Sequence, residues 1–159
     1  MVQSKLKNPT AELLSFVYQS VRRTSDSILS LMPRVEDEEL KSEMTVQISI
    51  YDGFASRAAK LLAKEGEAPE GERLTEKMAT RMGAVMHTLR DRGEGHLAEL
   101  LIEDAREAKQ RLTEEIREAI GRGVCDEPLH LAQRLCAYEQ KRVEDLGVYL
   151  SGASSKSNE

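Results

Sequence analysis

Four stretches of this chain carry apolar residues at three-to-four spacing, and Pro or Gly closes them off at Pro33, Gly66, Gly93 and Gly121. That period is helical, so the chain must bury several amphipathic stripes against one another. The first stripe is Leu14, Val17, Val21, Ile28 and Met32, and the second is Leu40, Met44, Gln47, Tyr51, Phe54, Ala58 and Leu62. The third is Leu97, Leu101, Ala105, Ala108, Leu112 and Ala119, and the fourth is Ala132, Cys136, Glu139, Val143, Leu146 and Leu150. Together they predict helices over about residues 10–32, 36–65, 96–121 and 127–150. Thr10 and Asp126 are the expected N-caps, and Pro128 suits a first helical turn. Glu36, Asp37, Glu38 and Glu39 suit the positive end of the second helix dipole.

The connections fix how these helices can be arranged. Pro33-Arg34-Val35 is short enough to fold the second helix back antiparallel on the first, and the Gly121–Gly123 turn does the same for the last two. Between the pairs lies a linker, GEAPEGE at 66–72, and a shorter helical pattern at about 73–91 with Leu74, Met78, Met82, Val85, Met86 and Leu89 on one side. A hairpin, a long crossover and a second hairpin make helices two and three parallel. The expected fold is therefore an all-α, ferritin-like four-helix bundle whose crossover carries a short extra helix, spanning residues 1–150. A plain up-down-up-down bundle would not need the 66–95 connection. The final SGASSKSNE, 151–159, reads as a disordered tail.

Composition agrees and narrows the functional classes. Only 4% of residues are aromatic while 32% are charged, too few alternating β-branched or aromatic residues for a sheet. A net charge of −5 argues against a nucleic-acid partner, because phosphate binding asks for a basic face. No segment approaches the roughly 20 apolar residues of a membrane span, and MVQSKLKNPT has no signal-peptide core. The 2 cysteines, Cys125 and Cys136, form no CxxC and sit in no Cys/His cluster, which argues against structural zinc and a disulfide framework. A cytoplasmic location is expected.

The stretches TSDSILSLMPRVEDEELKSEM and YEQKRVEDLGVYL resemble a small uncharacterised family of bacterial ferritin-like proteins, over roughly residues 12–150. The resemblance implies the fold and no established activity. In the wider superfamily, diiron members place a Glu on the first and third helices and a Glu-x-x-His pair on the second and fourth, all at one level of the bundle. Counting about eleven residues, roughly 16 Å, from the Pro33 end brings Thr24 and Ser25 to that level on helix one, with Asp26 off the stripe. Helix two brings Gln47 and Tyr51, with Ile50 where the pair's His would sit. Helix three brings Asp104, with His96, Glu99 and Glu103 on a neighbouring face, and helix four brings Glu139, with Arg142 where His is required. Two carboxylates without a facing His do not complete a diiron coordination set. The expectation is a buried polar layer of Thr24, Gln47, Tyr51, Asp104, Glu139 and Arg142 with no cofactor. The alternative is a reduced iron site around Asp104 and Glu139, with His96 and Glu99 as further candidates.

The remaining motifs have plainer readings. His96-x-x-Glu99 fits a solvated face beside a Gly-rich break, and Glu127-x-x-His130 lies in a first helical turn, more than two turns from the shared level. The Met78, Met82, Met86 row, followed by His87, fits a covering helix or an adaptable partner surface better than a soft-metal site. Cys136 reads as a small core residue. The expected function is that of a non-catalytic bundle acting through self-association, as a homodimer, or through a protein partner; the alternative is an iron-handling protein or oxidoreductase.

Overall fold

The structure is a computed structural model that describes residues 8–69 and 94–158. Among the described residues there are four long helices and no strand: α1 (Pro9–Leu31), α2 (Glu38–Lys64), α3 (Glu94–Gly121) and α4 (Asp126–Asn158). A single 3-10 turn, Met32–Arg34, joins α1 to α2. No helix among these residues is long and apolar enough to cross a membrane. The expected crossover helix at 73–91, with Met78, Met82, Met86 and His87, lies outside the described residues.

Local chemistry sets the helix ends, in two places differently from the sequence expectation. Asn8, not Thr10, caps α1: its side chain accepts the Ala11 N–H at 3.1 Å and leaves Pro9 in the first turn, where no N–H is needed. Asp37 caps α2 by accepting from the N–H groups of Glu39 at 2.9 Å and Leu40 at 3.2 Å. Asp126 is the first residue inside α4 rather than its cap, and the Cys125 carbonyl accepts from Leu129 N–H at 3.3 Å.

Both α2 and α3 close with the same paired hydrogen bonds around a left-handed glycine. Gly66 has φ 75° and donates to Ala63, while Glu67 donates to Leu62. Gly123 has φ 76° and donates to Ile120, while Val124 donates to Ala119. The buried Val124 then covers the end of α3. The last helix departs further from expectation, running past Leu150 to Asn158 and taking most of the supposed tail into the helical backbone. No Pro interrupts that stretch, and Ser or Gly lowers helix propensity by only about 1 kcal/mol or less.

Cross-helix hydrogen bonds define the directions. Tyr149 to Glu39, Arg142 to Gln47 and Tyr51 to Glu139 ascend α2 while descending α4, so the two are antiparallel. Lys109 to Gln140 and Arg142 to Asp104 make α3 antiparallel to α4 as well, which leaves α2 and α3 parallel. An ion pair between Glu12 and Arg122 ties the start of α1 to the end of α3. The core sits between the two hairpins: Leu14, Val17, Ile28, Leu40, Met44, Leu62, Leu97, Leu135 and Leu146 are all buried. Each such side chain contributes about 1.5–3 kcal/mol by leaving water.

Candidate functional site

The core is interrupted at one level by polar side chains that the helical pattern itself turns inward. Gln47 and Tyr51, one turn apart on α2, face Arg142 and Glu139, one turn apart on α4. Because the helices run antiparallel, the pairing is reciprocal. Arg142 Nε donates to Gln47 Oε1 at 2.9 Å, and the Tyr51 hydroxyl lies 2.9 and 2.8 Å from the two Glu139 oxygens. That hydroxyl donates to the carboxylate and in turn accepts from Arg142 Nη1 at 3.2 Å. Nη1 also reaches Glu139 Oε1 at 3.4 Å and Asp104 Oδ2, from α3, at 3.5 Å. The guanidinium carbon stands 5.6 Å from the Tyr51 ring centroid, within cation–π range. Tyr138 packs edge-on against that same ring at 5.4 Å and 81°. Nη2 has no hydrogen-bond partner among the described residues.

No family model, curated protein or solved structure matches this chain. The site therefore has to be interpreted from its own chemistry.

Burial governs that chemistry. Arg142, Gln47 and Tyr51 are fully enclosed and Glu139 is nearly so. Burial pushes the Glu139 carboxyl above the ordinary range; Arg142 and the Tyr51 hydrogen bond pull it back only in part, and Asp104 adds to the rise. Tyr51 is held well above its usual value, first by burial and then by the neighbouring carboxylate, against the opposing pull of Arg142. For Arg142, burial works against the charge, but Tyr51, Asp104 and Glu139 outweigh it and the net shift is upward. The guanidinium is a permanent interior cation. A buried charge of this kind is tolerated only when paired and hydrogen-bonded, and four residues around Arg142 do this.

The expected layer is only partly what forms. Gln47, Tyr51, Glu139 and Arg142 make one bonded cluster, with Asp104 joining from the rim, where its side chain is 33% exposed. Thr24 and Ser25 are buried on α1 but are not among the partners of Arg142, which come from α2, α3 and α4. Ile50 does not face the layer: it is 36% exposed, because inward positions on α2 here step from Gln47 to Tyr51. His96 and Glu99 pair with each other at 3.1 Å near solvent. Along α3, His96 lies about two turns, roughly 12 Å, from Asp104, and Glu99 more than one turn, roughly 7.5 Å. Glu103, Glu127 and His130 are exposed. Among the described residues no group of three or more His, Cys, Asp or Glu side chains is placed so that it could hold a metal ion.

One participant was missed at the level first counted. Glu43 is half-buried one turn before Gln47 and accepts from Gln47 Nε2 at 3.3 Å, extending the cluster toward solvent. Its i,i+4 spacing from Gln47 was the available signal. The level count brought Arg142 into the layer, but nothing in the sequence marked it as the residue that bonds all the others.

Proposed function

We propose that this chain is a ferritin-like bundle in which a buried guanidinium stands where related bundles hold metal, and that it acts through self-association or a protein partner rather than through metal chemistry. The observation carrying this reading is that Arg142 Nη1 lies 3.4 Å from Glu139 and 3.5 Å from Asp104, the two carboxylates at the level where a metal would bind. A divalent ion bonded to those oxygens would stand about 4 Å from the guanidinium. Its repulsion there is roughly twice the about 4 kcal/mol of two unit charges at an effective dielectric of 20. The fully enclosed Arg142 side chain has no adjacent solvent into which to withdraw without repacking α2 and α4. Gln47 and Tyr51 complete a hydrogen-bond set suited to a guanidinium and poorly suited to iron.

The competing reading is an iron-handling protein or oxidoreductase with a reduced site at Asp104 and Glu139, edged by Glu43. Elemental analysis of protein purified from iron-supplemented cells separates the two. The expected result is far less than one iron per chain and no ferroxidase activity. Two irons per chain, lost on Glu139→Ala, would overturn the proposal.

A further inference from the structure

The outer face of α2 differs from the rest of a chain that is 32% charged. Between residues 42 and 56 its exposed positions are Ser42, Thr45, Val46, Ser49, Ile50, Gly53 and Ser56, with Asp52 the one charge among them. Val46 is 51% and Ile50 36% exposed. A Cβ added at Gly53 would meet nothing within 4 Å, so the backbone there is open to close approach. Opposite charges flank this face: Glu38 and Glu39 at the N-terminal end, Arg57 and Lys60 at the C-terminal end. None of these four forms an ion pair with another described residue.

We propose that this face binds the same face of a second copy of the chain, antiparallel, about a twofold axis passing between Ser49 and Ile50. This rests on the reading that the protein works through binding, and it names the surface. In that register Glu39 lies opposite Lys60, Ser42 opposite Arg57, Val46 opposite Gly53, and Ser49 opposite Ile50. Each pairing occurs twice by symmetry. Both exposed Val46 side chains then meet an open glycine backbone, and Glu39 of each copy meets Lys60 of the other, with Arg57 about one turn away. A parallel pairing would set Glu39 on Glu39 and Lys60 on Lys60. A foreign partner would need this charge order reversed in direction, which a second copy supplies without further requirement. The contact from Glu39 to Lys60 extends over about 32 Å of helix.

Sedimentation of the full chain across the micromolar range tests the proposal. The wild type is expected to dimerise, and Glu39→Lys to raise the dimer dissociation constant by at least about tenfold, because the new repulsion appears twice. The exchanged variant E39K/K60E restores the pairing and is expected to return it to within about threefold of wild type. Ser49→Cys should give a disulfide-linked dimer under mild oxidation beyond any seen for wild type, whereas Gln110→Cys on the outer side of α3 should not. A monomeric wild type, a dimer indifferent to E39K, or a loss that the exchange fails to rescue would each overturn the proposal. Iron is measured on the same preparations. An iron-free monomer overturns the α2 surface alone, and an iron-loaded dimer overturns the underlying reading alone.

Discussion

Lys141 and Arg142 are adjacent on α4, and each faces a carboxylate of its own helix. Lys141 meets Asp145 at 2.8 Å in solvent, with side-chain exposures of 64% and 35%. Arg142 meets Glu139 at a longer 3.4 Å, both essentially enclosed. By distance alone the solvent pair is the better one. By consequence it is the lesser, since water replaces either partner of an exposed pair at little cost. Neither partner of the enclosed pair can be removed without leaving a charge or a donor stranded in the core. One step along the helix, about 100° of rotation, separates a surface ornament from the centre of the fold.

That contrast predicts a steep order of effects. Arg142→Met is the largest: it leaves Glu139 buried with Tyr51 alone and should cost about 3–5 kcal/mol in denaturant unfolding. Adding Glu139→Leu to it should recover much of the loss, because a well-filled apolar pair can replace a buried ion pair. If the double variant is as unstable as the sum of the singles, the two residues are not coupled as described. Tyr51→Phe removes the hydroxyl that links guanidinium to carboxylate and should cost about 1–3 kcal/mol.

Next in size is a dependence on pH. Glu139 holds its proton more tightly folded than unfolded, since its folded value is raised by burial. Its contribution is therefore fully present below the ordinary carboxylate range and lost as pH rises through the raised folded value. Glu115 is raised as well, by burial and by Glu118, Glu12 and Glu114, so among the described carboxylates the wild-type slope has two sources of the same sign. Glu139→Gln should flatten the fall in stability with rising pH without abolishing it; an unchanged slope would mean that Glu139 does not titrate differently on folding. Lys141→Ala closes the series and should leave the unfolding midpoint unchanged within error.

Much of this architecture was legible in the sequence because helical periodicity and the Pro and Gly breaks are local signals. Gly66 ends α2 through a left-handed glycine, as its place after the second stripe implied. The caps were less legible: Asn8 and Thr10 both flank Pro9, and the hydrogen bond from Ala11 N–H to the Asn8 side chain decides for Asn8. Glu139 was readable as buried from its place between Cys136 and Val143, and it is. Ile50, standing where the superfamily pattern sets a His, is 36% exposed, because a step of three residues from Gln47 leaves the inward face of this helix. Counting levels brought Arg142 into the layer, but its place at the hub was not readable, because which atoms it bonds on α2, α3 and its own helix depends on side-chain geometry that no local pattern encodes.

Arg142 is an enclosed, hydrogen-bonded cation, and we propose that it stands where a metal would otherwise bind. The most direct measurement is the NMR signal of its Nε–H, assigned by comparison with Arg142→Lys, followed while Fe(II) is added without oxygen. Donation to Gln47 at 2.9 Å inside the core should give a resolved signal in slow exchange with water at neutral pH. Excess Fe(II) should leave its position and intensity unchanged. A signal that is absent in the wild type, or one that broadens away in proportion to the first one or two equivalents of Fe(II), would contradict the account.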